Sequence, residues 1–321
     1  MTLNVILTND DGPPDGRESP YVFGLYQQLK SLGWNVRVVL PSSQKSWIGK
    51  AYQIKQVTKG VYYYPTLPDG AGKTSATSRP LREGEVAEWI LLDATPATCS
   101  NVALHNLFPD QIDLVISGPN LGRNSSSAFS LSSGTVGAAL SSSLAGYRSI
   151  AISYGTVVYP TPEEYFQPAH TLGANIIKHI WENWGLDVGG NRAGEVDLYN
   201  VNIPLIDTIL SDEGLQIYWT TMWRNNYGRL FKQIQQEEPT ADPAGPDAPT
   251  TEEKPGDLVF KWSPDMENLI RPPRDSCPVG SDGWAIMKGY VSVTPLRASF
   301  AEPPSELVDK DVEERAWKVK L

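Results

Sequence analysis

Cysteine, histidine and basic residues are all scarce in this chain, and no long apolar run interrupts it. With only Cys99 and Cys277 among 321 residues, a disulfide framework of the secreted kind is excluded, and both thiols are expected to be reduced and packed inside. Three histidines, His105, His170 and His179, give little material for a His-rich zinc site or a His-based triad. His105 and His179 fall in helical patterns, where surface and packing roles suit them. No window approaches the roughly 18 apolar residues of a membrane span. The opening "MTLNVILTND" has no basic n-region and too short an apolar run for a signal peptide, so a cytoplasmic protein is expected. Lys and Arg number 27 against 37 Asp and Glu, a formal charge of −10, which argues against a nonspecific grip on nucleic acid. Neither a Walker A sequence nor GxGxxG follows the first apolar run, which counts against a P-loop or a dinucleotide site.

What is present is alternation. Leu3 to Thr8 reads as a strand, Tyr21, Leu25 and Leu29 recur as one helix face with Pro20 suited to its first turn and Gly33 to its stop, and "NVRVVL" (35–40) reads as a second strand. Such a βαβ unit predicts a parallel sheet. "EWILLD" (88–93), a helix capped by Thr95 with Pro96 at its first position, "DLVISG" (113–118), a small-residue helix over 134–146, "SIAISY" (149–154), a helix over about 163–184 and "DLYNVNIP" (197–204) continue the series. The fold expected is α/β: a Rossmann-like, doubly wound, mostly parallel sheet spanning 1–205, in a chain read as a single domain over 1–321. Residues 51–87 break the alternation and read as a hairpin or flap. Residues 206–321 read as a smaller β-rich C-terminal part and arm, with strand pattern over 283–296 and a terminal helix over 309–321. The acidic, Pro- and Ala-rich stretch 235–257 reads as a mobile loop.

Ligands bind outside the carboxyl ends of the strands of such a sheet, and polar clusters fall there. Asn9-Asp10-Asp11-Gly12 follows the first strand, "PSSQKSWIGKA" the second, "SGPNLGRN" the strand ending at Ile116, and "SLSSGTVGAA" opens a helix. Adjacent carboxylates on an extended strand point to opposite faces, so Asp10 and Asp11 converge only where the chain turns. Their repulsion is then relieved by a hard divalent cation, although a surface turn or helix cap explains "NDDG" as well. The helix start at Ser133, Gly134 and Thr135 suits an anion, or simply caps the helix. Together a cation site and an anion site are what phosphate-ester hydrolysis needs. The segment "GDLVFKW" (256–262) and Trp219 and Trp223 could form a base-stacking wall, though packing explains each as well.

In order and spacing these pieces resemble the SurE family of phosphatases and nucleotidases: "ILTNDDG", the loop from Pro41 to Ser46, "DATPATCSNVAL", "SGPNLGRN", "SSGTVGAAL", "AIS", "NVNIP" and "GYVSVTPL". The second loop and the serine-rich third look closest to the fungal, acid-phosphatase branch, some members of which continue into a ligase-like domain. The resemblance implies one divalent cation, Mg²⁺ or Mn²⁺, held by Asp10, Asp11, Ser46 and Asn120, with Ser42 and Ser43 chemically able to replace Ser46. It implies phosphate contacts from Asn124, Ser133, Gly134 and Thr135, with Lys45 adding charge nearby, and Asp10 or Asp11 as general base or covalent nucleophile. Trp47 stands where the family has glycine, which implies a differently shaped mouth. The implied activity is hydrolysis of nucleoside monophosphates or similar esters by a homodimer or tetramer, with 51–87 and 205–282 as pocket walls and subunit contacts. A nucleotide- or RNA-end-binding sensor with little turnover is the alternative.

Overall fold

Apolar residues at alternate positions of the first strand enter different layers, and that alternation organises the molecule. The computed structural model describes residues 2–156, 160–234, 258–266, 270, 272–273, 276–302, 311, 315–317 and 319; the expected mobile loop 235–257 lies outside the described residues, as does most of the expected terminal helix. In β1 (Asn4–Thr8), Val5 and Leu7 pack into one cluster while Ile6 packs into another on the opposite face. The first cluster is covered by α1 (Val22–Ser31) and α5 (Phe166–Glu182). On the other face lie α2 (Pro96–Val102) and α4 (Gly134–Leu144), which pack on one another.

Between them β2 (Asn35–Pro41), β5 (Trp89–Leu92), β6 (Leu114–Leu121), β7 (Arg148–Thr156) and β8 (Leu198–Leu205) join β1 in parallel. Two more strands, β3 (Gly60–Pro65) and β4 (Gly72–Ser75), form an antiparallel hairpin that extends the edge beyond β5. At the other edge β12 (Val291–Leu296) runs antiparallel to β8 and carries β9 (Ile217–Trp219) outside it. The order is β4-β3-β5-β2-β1-β6-β7-β8-β12-β9. A separate ribbon pairs β10 (Phe231–Gln233) with β11 (Phe260–Trp262). This is the expected doubly wound, mostly parallel α/β sheet, with 51–87 as a hairpin and a β-containing C-terminal part.

Local expectations fared differently. Thr95 caps α2 through its hydroxyl, with Pro96 first in the helix, as expected. Pro20 is not in the first turn of α1: paired backbone hydrogen bonds between Asp15 and Ser19 hold it in the preceding loop, and the helix starts at Val22. The strand pattern over 283–296 is half wrong. Ser281 accepts a hydrogen bond from Trp284 N–H and starts a short helix, α6 (Asp282–Met287), and only β12 is extended. A helix over Ser126–Ser132, α3, was not foreseen at all. Cys99 and Cys277 are unpaired and buried. No helix among the described residues is long and apolar enough to cross a membrane.

The one buried histidine of α5, His170, sits among Tyr21, Tyr154 and the backbone of Gly24, and burial holds its imidazole down at about 4. The unfolded chain takes up that proton near pH 6.5, so between about pH 4 and 6.5 it binds more protons than the native state. Stability is therefore expected to rise with pH across this window, by up to about 3 kcal/mol from this group. Urea midpoints of the parent and of His170→Gln, measured from pH 4 to 7, check this: the difference between them should shrink as pH falls.

Candidate active site

The turn after β1 is built by Asn9. Its side-chain oxygen accepts from Gly12 N–H (3.0 Å), and its amide donates to Gly12 O (2.8 Å) and to Ser19 Oγ (3.2 Å). Gly12 takes φ +88°, which favours glycine, and a Cβ there would meet the Ser43 carbonyl carbon at a tight 3.3 Å, so glycine lets this turn and the loop after β2 touch without strain. Lys45 N–H closes the contact by donating to Asp10 O (2.7 Å). The chain thus turns at the pair, and both carboxylates are buried, Asp10 2% and Asp11 3% exposed.

Asp10 accepts a short hydrogen bond from the Thr135 hydroxyl, and the amides of Gly134 and Thr135 face the same carboxylate. A Cβ on Gly134 would lie 2.8 Å from Asp10 Cβ and 2.9 Å from its Oδ2, so the start of α4 approaches the carboxylate only because residue 134 is glycine. Burial nevertheless lifts Asp10 to about 6 against these donors. Asp11 accepts from Leu121 N–H (2.8 Å); burial and then the neighbouring Asp10 push its carboxyl well above the ordinary range. Among the described residues neither forms an ion pair with Lys, Arg or His.

A cavity of about 490 Å³ opens beside Asp10, lined by Asp10, Ser46, Asn120, Asn124 and Ser133 among others; Asp11 does not line it. Of the three candidate loop serines, Ser46 lines it and Ser42 and Ser43 do not. The β6–β7 register shifts between Ser117 and Asn120, an irregularity that re-aims the side chain at the strand end. The Asn120 amide donates to Gly122 O (2.7 Å), which leaves its oxygen as the acceptor end. No group of three or more His, Cys, Asp or Glu forms a metal cluster among the described residues, so among those residues any further oxygen ligands beside the two carboxylates are neutral. Asn120 and Ser46 supply that chemistry, and the donor set fits a hard cation.

The expected anion contacts divide. Ser133 lines the cavity and also caps α4, accepting from Val136 N–H (3.1 Å). Gly134 and Thr135 do not line it; the anion they hold is the protein's own Asp10. Asn124 lines the cavity while its amide donates to Ser153 Oγ (2.9 Å), its N–H donates to Asn202 Oδ1 (2.7 Å) and its carbonyl accepts from Asn200 (2.8 Å). Asn200, Asn202 and Ser153 were quoted in motifs without a role; two buried asparagines at i and i+2 on a strand were the available signal. Asp282 was missed. It is fully buried and accepts from the N–H groups of Ser126 (2.7 Å), Trp223 (2.9 Å) and Gly283 (2.7 Å), tying α3 to α6.

Residues 51–87 do not line the cavity, contrary to expectation, because the hairpin occupies the far edge of the sheet. Met266 and Ile270, from the other expected segment, do. Trp219 packs on Tyr199 and neither it nor Trp223 reaches the cavity, whereas Trp262 meets the cavity residue Trp47 with ring centroids 4.9 Å apart.

Comparison with known proteins agrees with the fold. The family described as survival protein SurE matches residues 5–229. A Saccharomyces cerevisiae protein named probable tubulin-tyrosine ligase PBY1 is 31% identical across 93% of this chain, which spans 41% of that relative's length. The 5'-nucleotidase SurE of Rhodopirellula baltica is 28% identical, with 92% of each chain covered. The crystal structure of the SurE protein from Aquifex aeolicus superposes with a TM-score of 0.59 at 23% identity, covering 93% of this chain and 94% of that one.

Proposed function

The chain belongs to the SurE family, and on that premise we propose that it is a divalent-metal-dependent phosphomonoesterase acting on nucleoside monophosphates or similar phosphate esters. The observation that carries this reading is the pair Asp10 and Asp11, buried without a counter-ion among the described residues, with Asp10 at the wall of a cavity that Asn120, Ser46, Asn124 and Ser133 also line. Two uncompensated buried carboxylates are costly in a protein interior, and a cation-binding role explains their retention.

In this reading Asp10, Asp11, Asn120 and Ser46 would hold the ion. When bound, Mg²⁺ or Mn²⁺ would activate water and neutralise phosphoryl charge. Asn124 and Ser133 face the cavity and are assigned to the phosphoryl oxygens. Gly134 and Thr135 act one step back, fixing the orientation of the Asp10 carboxylate. Either aspartate can serve as general base, since burial lifts Asp10 to about 6 and pushes Asp11 above the ordinary carboxylate range.

The test is phosphate release from a panel of nucleoside monophosphates in Mg²⁺ or Mn²⁺, with and without EDTA. Release that EDTA abolishes is expected, with at least about a 100-fold loss on chelation. Nucleotide binding without release, or release indifferent to EDTA, sinks the proposal.

A further inference from the structure

Trp47 is held in a conformation that side chains rarely adopt. Its φ is 63°, in the left-handed region where a bulky residue is strained. Rings from three other segments surround the indole: Phe129 of α3 at 6.0 Å, Tyr227 at 6.1 Å and Trp262 of β11 at 4.9 Å between centroids. Ordinary core packing does not account for the arrangement, because the indole is only half-buried and, with Phe129, lines the cavity that contains Asp10 and Ser46. Arg123 extends the same wall, its guanidinium carbon 5.8 Å from the Phe129 centroid and its Nη2 donating to Ile270 O (3.0 Å). Met266, Ile286 and Met287 add apolar lining to the same cavity.

One cavity therefore joins a polar, carboxylate-bearing region to an aromatic and thioether-lined one. We propose that Trp47, with Phe129 behind it, is the specificity-determining residue of this enzyme: the wall against which a flat aromatic leaving group stacks. The proposal rests on the phosphomonoesterase reading above. Stacking on an aromatic face is tolerant of base identity but rejects small aliphatic groups, which have no π-face to present. The cavity is then selective for the presence of a base and weakly selective for which base it is.

Trp47→Gly removes the ring at a position whose backbone angle glycine prefers, and Trp47→Phe keeps a ring. The ratio of kcat/KM for adenosine 5'-monophosphate to that for glycerol 2-phosphate is expected to fall about tenfold or more in Trp47→Gly, mainly through KM for the nucleotide. Trp47→Phe should hold the ratio within about threefold of the parent, and Phe129→Leu should lower it without altering the loop. Calorimetry of adenosine binding to the metal-free parent and to Trp47→Gly needs no turnover, and the affinity is expected to drop in the variant. A ratio unchanged within about twofold in Trp47→Gly, or unchanged adenosine affinity, overturns the stacking wall. A parent that releases phosphate from neither ester overturns the phosphomonoesterase reading instead, and the calorimetry still decides the role of Trp47.

Discussion

Asp11→Asn is expected to lose turnover by about 100-fold or more and yet to unfold at a higher temperature than the parent when no divalent cation is present. The two effects share one cause. Asp11 is buried against Asp10, and its native carboxyl titrates well above the ordinary range. Above the ordinary carboxylate pKa the native state therefore binds more protons than the unfolded chain, so stability falls as pH rises through this window. Ionising the second carboxyl of the pair opposes folding. Asparagine keeps the shape, still accepts from Leu121 N–H and removes the charge, so the Tm of the metal-free variant should lie above the parent's. Added Mg²⁺ or Mn²⁺ should reverse the ranking, since an ion that binds only the native parent stabilises it by mass action. Calorimetric scans of both proteins, with EDTA and with metal, test the pair of claims. A variant that retains turnover removes Asp11 from the chemistry; one that is less stable without metal removes the argument from uncompensated charge.

Asp282→Ala is expected to be the most destabilising single change near the site, costing about 3–5 kcal/mol. The carboxylate is fully buried and takes hydrogen bonds from three backbone N–H groups on different segments. Alanine leaves all three donors buried and unsatisfied. One of them belongs to Ser126, whose φ of 73° already requires outside support. Asp282→Asn retains one acceptor oxygen and should recover part of the loss. Because Asp282 joins α3 to α6, which carry Phe129 and the pair Ile286 and Met287 on the cavity wall, surviving Asp282→Ala protein is also expected to show a raised KM. Urea denaturation reads the first effect; a midpoint equal to the parent's would show that the three amides find other partners.

How much of this was legible in the sequence depended on the range of the interactions. Asp10, Asp11 and Asn120 stand immediately after apolar runs, so strand periodicity alone placed them at one edge of a parallel sheet. The paired arrangement of Asp10 with Thr135 was not legible, because nothing local distinguishes a helix start that binds a ligand from one that binds a side chain 125 positions away. Asp282 lies in "GSDGW", which reads as a solvent-facing turn, and its two distant partners, Ser126 and Trp223, make it structural. The helix α6 was mistaken for strand since "GWAIM" is too short and too apolar for its period to be told. The serine-rich α3 has weak intrinsic propensity and is held by Asp282 and Asn225 from outside. Trp47 could be flagged as unusual in its loop, but its neighbours come from three segments that no local pattern links.

The path of the chain around the cavity also governs when it can be completed during synthesis. Asp10 follows the first strand made, whereas Ile286 and Met287 sit in α6, which among the described elements precedes only β12. A nascent chain that has emerged through Leu205 already holds every polar candidate, and none of the wall supplied by Met266, Ile270, Ile286 and Met287. Closing contacts of such sequence separation is slow compared with forming the local βα units, so the polar part of the cavity is expected to be assembled before its apolar wall is added.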